Sequence, residues 1–335
     1  MSGPLNSESL SRESLSPGSW QYRQLNARAP SLSTLADALI ELADAGEPVA
    51  ACTADLQYSN GLIGFARRFP ERLVQFGISE QNMVSAAAGI ASTGMIPYAA
   101  TFASFLALLC CEQIRTDCAY SALPVRLIGH HAGISLGFYG TSHHATEDLA
   151  IMRSIADLAV VAPADGAQLA AAIRATVRHP QPIYFRIARG HDPVVYPKDV
   201  PFELGKAIRH GEGTELTIIA CGTMVHPALQ AVTALRAAGR SVGLIDMHTI
   251  KPLDREAVIA AARGSRTLLT VEEHNVLGGL GGAVAEVLAD IGGAPRLRRH
   301  GIEDSYSLIA PPTHLYRHYR LDAEGIEAVA REVMA

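Results

Sequence analysis

The sequence predicts an α/β protein made of two units, each a mainly parallel sheet covered by helices. Short apolar runs alternate with alanine-rich helical runs along most of the chain. The strand-like runs are apolar on both faces, which is typical of parallel strands buried between helical layers. With 335 residues, the chain is also too long for one small core. We therefore expect two domains, the second with the smaller sheet.

The first domain is expected over residues 26–196. Its first helix is "LSTLADALIELADAG", because Leu35, Leu39 and Leu42 recur at helical spacing and Gly46 can close the helix. Buried strands and helices then alternate in the order "PVAACTADL", "RLVQFG", the helix opened by Glu80, "MIPYAATF", the long buried helix "FLALLCCEQIRTDCAYSAL", "PVRLIGHHAG", "LAVVAPAD", a helix over 166–178 and "PIYFRIAR".

The second domain is expected over residues 207–335, after a linker at 197–206, since the stretch "GHDPVVYPKDVPFELGK" is rich in Pro and Asp. Its strands are "LTIIACG", "SVGLIDM" and "TLLTVEE", and the helices between and after them are "HPALQAVTALRAAG", "DREAVIAAARG" and "GGLGGAVAEVLADIG". Residues 1–25 are polar and rich in serine, and we expect a flexible N-terminal tail there.

Composition narrows the classes of partner. The net charge is -5 and no long basic run is present, which excludes nucleic acid and anionic membrane surfaces as expected partners. No run approaches the roughly 20 apolar residues that span a bilayer, and the N-terminus lacks an apolar signal segment, so we expect a cytoplasmic protein. The five cysteines form no CxxC pair and are expected to be buried reduced thiols rather than metal ligands or disulfides.

Ligands of open parallel sheets lie beyond the carboxyl ends of the strands. Residues just past predicted strands are Asp55, Gly77 to Glu80, Phe102, His131 and Arg189. Among them, Glu80 follows an apolar strand and precedes a run of alanines, where a carboxylate is costly unless it is paired. It is either a helix cap or ion-pair partner, with Ser79 as the expected cap, or a group whose protonation is used.

Aromatic and histidine side chains follow on neighbouring strands. Phe102 and Phe105 form either an aromatic wall for a flat ring or ordinary core. The glycine-broken loop "GHHAGISLGFYGTSHHATED" holds two adjacent histidine pairs, whose spacing matches no zinc site. Because adjacent residues of an extended segment point to opposite faces, we expect one histidine of each pair to face a cleft, where an imidazole can move protons or bind sugar hydroxyls.

Two further residues are candidate phosphate contacts. Arg189 offers a planar fork of donors, and Ser59 offers a hydroxyl in "ADLQYSN". The alternatives are a surface ion pair for Arg189 and a turn hydroxyl for Ser59. The glycine pattern in "HNVLGGLGGAVAEV" is a weak signal for a nucleotide, because it lacks an acidic partner after the next strand.

Taken together, these segments resemble the transketolase family. "ADLQYSN", "FGISEQNM", "TFASFL", "GTSHHATED", "MRSIADLAVVAPAD", "IKPLD" and "EEHNVLGGLGG" occur in the order and spacing of the C-terminal part of transketolase. The resemblance covers nearly the whole chain after residue 26 and is closest to split transketolases, whose halves are separate polypeptides. It implies a pyrimidine-binding domain followed by a transketolase C-terminal domain.

The resemblance implies thiamine diphosphate as cofactor, shared between this chain and a partner. In the family, a Gly-Asp-Gly motif followed by an Asn pair holds the diphosphate and Mg²⁺, and this sequence contains no Gly-Asp-Gly. An N-terminal transketolase subunit is therefore implied as the partner that holds Mg²⁺, with no metal site in this chain. Self-association through the C-terminal half is also implied.

Cofactor roles follow residue by residue from the resemblance. Glu80 matches the catalytic glutamate that hydrogen-bonds N1′ of the aminopyrimidine. Phe102 and Phe105 match the aromatic positions beside the pyrimidine, Asp55 matches an aspartate near the cofactor at the subunit contact, and Ile78 lies in the same cofactor-binding motif.

Substrate roles follow in the same way. Ser59 and Arg189 match phosphate-binding positions, and His131 and His143 match catalytic histidines that line the donor channel. Tyr139 stands where the family has an aspartate that contacts a sugar hydroxyl, which puts the usual sugar-phosphate preference in doubt. His144 stands where many members have Gln, and Arg28 aligns poorly with a further family arginine.

The resemblance thus implies transfer of a two-carbon ketol unit from a ketose donor, with or without phosphate, to an aldehyde acceptor. Two alternatives stay open. One is a related thiamine enzyme half, either the β-subunit of a 2-oxoacid dehydrogenase or a chain like deoxyxylulose phosphate synthase. The other is a non-catalytic scaffold homologue, against which the retained Glu80 argues.

Overall fold

The computed structural model describes residues 30–189 and 192–335, so the predicted tail at 1–25 and Arg28 lie outside the described residues. Within these ranges the α-helices are α1 (Pro30–Asp44), α2 (Ile63–Arg68), α3 (Glu80–Ser92), α4 (Cys111–Gln113), α5 (Asp148–Ser154), α6 (Gly166–Thr176), α7 (Val225–Ala237), α8 (Arg255–Gly264), α9 (Leu280–Ala289), α10 (Pro312–His318) and α11 (Ala323–Met334).

Short 3₁₀ turns occupy Pro70–Arg72, Gly137–Tyr139 and Gly222–Met224. The strands are β1 (Val49–Thr53), β2 (Leu73–Gln75), β3 (Ile96–Phe102), β4 (Arg126–His130), β5 (Ala159–Val161), β6 (Ile183–Arg186), β7 (Ile208–Arg209), β8 (Leu216–Ala220), β9 (Val242–Asp246), β10 (Thr249–Lys251), β11 (Thr267–Asn275) and β12 (Arg296–Ile302).

The first sheet has the order β10-β5-β6-β4-β3-β1-β2 and is parallel except at β10, which runs antiparallel to β5. Helices cover both faces. On one face Leu35 of α1 and Ile173 of α6 pack on Ile128 of β4, and on the other Met83 of α3 and Leu106 pack with Leu127. The predicted α/β architecture is therefore confirmed.

The second sheet is smaller, with the order β12-β11-β8-β9-β7, and only β7 is antiparallel. One of its faces is covered by α7 and α11, and the opposite face shares a core with the first unit. Strand β10 lies beyond the predicted linker in sequence but joins the first sheet. The exact domain bounds of 26–196, 197–206 and 207–335 stay a prediction.

Two local expectations were wrong. The segment "FLALLCCEQIRTDCAYSAL" is not one regular helix, because π-helical turns at Phe105–Leu109 and Ile114–Tyr120 flank α4, with a break at Cys110. Ser79 occupies the N-cap position of α3, but its side chain makes no capping hydrogen bond. By contrast, Asp165 caps α6, where its Oδ1 accepts from the Gln168 N–H at 2.9 Å.

Among the described helices, none combines the length and apolar character required to cross a bilayer.

Candidate active site

The strand order brings the predicted site residues to one edge of the first sheet. Strands β6, β4, β3, β1 and β2 are consecutive neighbours and run parallel, so their carboxyl ends lie side by side. The loops after these strands carry the candidates, which are Arg189 after β6, His131 after β4, Phe105 after β3, Asp55 and Ser59 after β1, and Ile78 and Glu80 after β2.

Five of the predicted side chains form one cluster of rings. Phe102 and Phe105 have ring centroids 5.4 Å apart, and the His131 ring lies 4.7 Å from Phe102 in an edge-on arrangement. His143 is 5.7 Å from Phe102 and 5.3 Å from Phe105. Tyr139 packs on His143 at 4.9 Å and is 48% exposed. Three residues of the single loop after β4 therefore gather around the two phenylalanines.

His131 is held in an unusual state. Its backbone has a φ of 57°, in the left-handed region, and its side chain is only 5% exposed. Burial, followed by the nearby charges of His130, Arg189 and His143, holds the pKa of His131 well below the usual value. Its Nδ1 is buried and has no hydrogen-bond partner within the described ranges. His131 is thus a neutral imidazole with a free ring nitrogen beside Phe102.

In each histidine pair, one ring joins the cluster and the other is buried elsewhere. His130 contributes no contact to the phenylalanines in the described structure, and burial lowers its pKa to about 3. His143 is half-buried, with Nδ1 2.9 Å from Ser142 Oγ, and burial lowers its pKa. His144 is buried and hydrogen-bonds Ser307 Oγ through Nδ1. The spacing of the pairs predicted this division, and the resemblance to transketolase selected His131 and His143, the two rings that lie in the cluster.

Glu80 begins α3 at the same edge and is half-buried. Within residues 30–189 and 192–335, no basic side chain lies within ion-pair distance of its carboxylate. The neighbouring Gln81 donates from Nε2 to the Leu109 carbonyl at 3.0 Å, which ties α3 to the π-helical turn after Phe105. Burial, and then the Glu80 charge, raise the pKa of Cys110 to about 12. Ile78, just before α3, is 83% exposed.

The loop after β1 is anchored from both sides. Asp55 has a φ of 58°, and its N–H donates to Gln75 Oε1 at 2.6 Å, which ties it to the end of β2. Asn60 is buried, and its Nδ2 donates to the Ala100 carbonyl of β3 at 2.6 Å. The partly exposed Ser59 lies next to this anchor. Asp55 is therefore tied to β2 through its backbone N–H, and Ser59 lies beside the residue that ties the loop to β3.

Arg189 lies at the boundary between the two units. It is half-buried, and its charge contributes to the lowered pKa of His131. It also lines a cavity of about 540 Å³ together with Ser135, Thr223 and Tyr316. This cavity brings second-unit residues close to the loop that follows β4.

The sequence did not predict the cluster of buried polar side chains that lies next to the histidine-bearing loop. Arg186 Nε and Asp148 form an ion pair at 2.9 Å, and the Tyr184 hydroxyl donates to Asp148 at 2.8 Å. Glu273 of β11 lies beside them and accepts from the Ile134 N–H at 2.7 Å. The available signal was "VEEHN", in which two carboxylates end an apolar strand and therefore need buried partners.

Comparison with known proteins gives the family. The family model described as transketolase, pyrimidine binding domain, matches residues 31–193, and the transketolase C-terminal domain matches residues 205–326. The chain belongs to the transketolase family. Curated members are similar over most of their length. A "Putative transketolase C-terminal section" of Methanocaldococcus jannaschii is 39% identical over 300 residues, which covers 89% of this chain and 94% of that protein.

Other relatives have similar sequence identity but differ in how much of their own length is matched. A 6-deoxy-6-sulfo-D-fructose transketolase subunit of Clostridium sp. is 35% identical, with 90% of this chain and 93% of that subunit covered. A 1-deoxy-D-xylulose-5-phosphate synthase of Syntrophus aciditrophicus is 37% identical over 88% of this chain but only 46% of its own length. A solved structure titled "Split gene transketolase, inactive beta4 tetramer" superimposes with a TM-score of 0.83 at 37% identity, with 91% and 98% of the two chains covered.

Membership of the transketolase family implies dependence on thiamine diphosphate, and the residues present fit one end of that cofactor. The partly exposed rings of Phe102 and Phe105 offer an apolar surface to a flat heterocycle. The Glu80 carboxylate, which has no cationic partner in the described structure, can accept a hydrogen bond or share a proton. In the same residues, no group of three or more His, Cys, Asp or Glu is placed to hold a metal ion.

Proposed function

We propose that this chain is the C-terminal subunit of a split transketolase that transfers a two-carbon ketol unit from a ketose donor to an aldehyde acceptor. The observation that carries the proposal is the convergence of Glu80, the paired phenylalanines and two neutral histidines on one sheet edge. This edge combines a flat apolar surface, a carboxylate and neutral proton-transfer groups, which ketol transfer requires.

The chain's own residues divide the work. Glu80 would hold the aminopyrimidine by a hydrogen bond and share a proton with it, while Phe102 and Phe105 would pack beside the ring and exclude water. Asp55 and Ile78 complete the cofactor contact at the edge of the subunit. When bound, thiamine diphosphate would supply the carbon nucleophile that ketol transfer needs. His131 and His143, neutral at pH 7 because burial lowers their pKa, bind substrate hydroxyls and move protons.

Substrate selection is assigned to the rim of the same site. Arg189 and Ser59 are the proposed phosphate contacts, because they lie past the carboxyl ends of β6 and β1, at the same edge of the first sheet. Tyr139 replaces a carboxylate acceptor with a half-exposed aromatic ring against His143. We therefore propose that the donor differs from the common sugar phosphates near this ring.

A partner polypeptide completes the proposed enzyme. The sequence has no Gly-Asp-Gly motif, and we assign the diphosphate and Mg²⁺ to an N-terminal transketolase subunit. Ile78, Leu108 and Leu109 are exposed apolar side chains around Glu80 and are the proposed contact with that subunit. Self-association through the C-terminal half, and a cytoplasmic location, belong to the same proposal.

Reconstitution tests this function. The chain is co-purified with a candidate N-terminal subunit and assayed with ketose donors, an aldehyde acceptor, thiamine diphosphate and Mg²⁺. We expect ketol transfer by the pair and none by either chain alone. The isolated chain is also titrated with thiamine diphosphate. Micromolar binding by this chain alone would contradict the half-site assignment.

The similarity to 1-deoxy-D-xylulose-5-phosphate synthase favours one second candidate, a thiamine enzyme that acts on a 2-oxoacid. The reconstituted pair is therefore also given pyruvate, with and without an aldehyde acceptor. Release of carbon dioxide without ketol transfer would replace transketolase with this alternative, which includes the 2-oxoacid dehydrogenase type. Absence of turnover on every donor by a pair that binds thiamine diphosphate would favour the scaffold alternative.

A further inference from the structure

The segment from His131 to Ala145, named here the histidine loop, is closed at its neck. Gly133 and Ala145 exchange backbone hydrogen bonds, with N···O distances of 3.1 and 2.9 Å. All of the loop's active-site side chains, His131, Tyr139 and His143, lie within or just outside this neck. The position of the neck therefore sets where the histidines meet the phenylalanines.

A carboxylate from the second unit holds this neck. Glu273 is 2% exposed, and its Oε1 accepts from the Ile134 N–H at 2.7 Å and from the Tyr316 hydroxyl at 2.8 Å. Its Oε2 accepts from the Thr223 hydroxyl at 2.8 Å. A Cβ at Gly133, where φ is 62°, would lie 2.2 Å from the Glu273 Cδ. Three segments of the chain therefore converge on one buried carboxylate.

The Ala145 side of the neck is also linked to β11, through Arg186. Arg186 Nη2 donates to the backbone carbonyl of Glu273 at 2.8 Å and to that of Ala145 at 3.2 Å. Arg186 is itself held by its ion pair with Asp148. Both strands of the neck are thus bound to Glu273, one directly through Ile134 and one through Arg186.

We infer that Glu273 is a positioning residue for the active site, which acts from the second unit by fixing the histidine loop. A buried acceptor that collects several donors restricts their relative movement, because each donor left unpaired would carry a desolvation cost. The loop histidines then meet the phenylalanines in one arrangement. The kinetic consequence rests on the proposed function, whereas the effect on the loop does not.

Glu273→Met tests the inference, because it keeps the volume of the side chain and removes both acceptor oxygens. Glu272→Met is the matched control. Glu272 is the preceding residue of the same strand and is equally buried, but its oxygens accept from the Leu280 and Gly281 N–H groups at the start of α9. Glu273→Gln is the conservative variant, since its amide oxygen can still accept from Ile134 while its NH₂ donates to Thr223.

Hydrogen exchange of the isolated chain, read by mass spectrometry, measures the loop without any activity. We expect Glu273→Met to raise exchange over residues 132–146 at least tenfold, Glu272→Met to raise it around α9 instead, and Glu273→Gln to stay within threefold of the unmodified chain. In the reconstituted enzyme, kcat should fall at least tenfold in Glu273→Met, recover in Glu273→Gln and change less than threefold in Glu272→Met.

Wild-type exchange over 132–146 in Glu273→Met, or an equal loss of kcat in both methionine variants, would overturn the inference. If Glu273→Met does not fold, Glu273→Asp replaces it, because the shorter side chain withdraws the carboxylate from Ile134 while it keeps the charge. The same two readouts then decide. A reconstituted pair without ketol transfer would count against the proposed function, and hydrogen exchange would still report on the loop.

Discussion

The end of β4 belongs to the first unit and the end of β11 to the second. The two ends differ in how fully their buried polar side chains are hydrogen-bonded. At the end of β4, both ring nitrogens of His130 and the Nδ1 of His131 have no hydrogen-bond partner in the described structure. At the end of β11, each oxygen of Glu272 and Glu273 accepts at least one hydrogen bond at 2.7–2.8 Å.

This difference in hydrogen bonding indicates that the two sheets have different roles. Both have carboxyl-end crevices of the kind that bind ligands. In the second sheet the chain fills the positions around these carboxylates with its own backbone N–H groups and hydroxyls. At the first edge, the Nδ1 of His131 and the partly exposed rings of Phe102 and Phe105 are the groups that the proposed function assigns to cofactor and substrate. Apart from Glu273, which fixes the histidine loop, we therefore expect changes in the second sheet to alter stability and changes at the first edge to alter chemistry.

The largest effect is expected at the end of β9 in the second sheet. Burial raises the pKa of Asp246 to about 7, although Gln168 and Tyr196 donate to it. A raised carboxyl pKa contributes stability that is present below pH 4 and is lost as the pH rises through about 7. Relative to Asp246→Asn, the unmodified chain should lose up to about 4 kcal/mol between these pH values.

Urea unfolding of both chains at pH 4.5, 6 and 7.5 measures this difference, and the subtraction cancels the titration of other buried groups. If the unfolding free energies of the two chains differ by the same amount at all three pH values, Asp246 does not titrate in this range. Ketol transfer at pH 7.5 should be within a few-fold for the two chains, because Asp246 is bonded to Gln168 and Tyr196, which are not among the candidate site residues.

The first edge should show the opposite behaviour. Glu80→Gln in the reconstituted enzyme should lower kcat about a hundredfold, or about 3 kcal/mol, because the amide cannot exchange a proton with the cofactor. Thermal unfolding should barely change, since no cation within the described residues depends on this carboxylate. Glu41→Gln, a surface change on α1, is the control for a lost carboxylate. An unimpaired Glu80→Gln enzyme would remove the assignment.

His131→Asn tests the contribution of the imidazole ring separately from that of the left-handed backbone at position 131. Asparagine tolerates a φ of 57° better than most residues, so the loop geometry should persist while the ring is lost. We expect kcat/KM to fall about thirtyfold, or about 2 kcal/mol, as a proton-transfer and binding group is removed. His131→Ala should in addition lower the unfolding temperature because of backbone strain. Equal activity of His131→Asn and the unmodified enzyme would assign the ring to packing alone.

The smallest effect is expected at Tyr139, on the rim. Tyr139→Asp should shift the ratio of kcat/KM for a phosphorylated against an unphosphorylated ketose about fivefold towards the phosphorylated donor, or about 1 kcal/mol. Tyr139→Phe is the matched control and should leave the ratio unchanged, because it keeps the ring against His143. Identical donor profiles in all three enzymes would show that this position does not select the donor.

The sequence was sufficient for the architecture and for the edge at which the candidate residues meet. Apolar strands that alternate with helices predict a parallel sheet, and the carboxyl ends of such strands necessarily share an edge. The residue pattern alone could not show that His131 and His143, rather than His130 and His144, pack on Phe102, and only the resemblance to transketolase selected them. That choice depends on a left-handed residue at 131 and on the bond between His144 and Ser307, which are set by tertiary packing.

Long-range contacts between the units were also beyond the sequence. Glu273 and Ile134 are 139 positions apart, and nothing in the local pattern of either segment predicts their hydrogen bond. The break at Cys110 was missed for a related reason, since an apolar run has the same composition whether its turns are α or π. The roles of the site residues stay predictions until the experiments above are done.

Strand β10 limits where the chain can be truncated without exposing a sheet edge. Because Thr249 and Lys251 pair with β5, a truncated protein that ends at the linker would leave β5 as an open edge of a seven-stranded sheet reduced to six. Bare edges of this kind recruit other chains and aggregate. We therefore expect the first unit to aggregate when it is produced alone. The two units should need to be expressed as one chain, and they should unfold together.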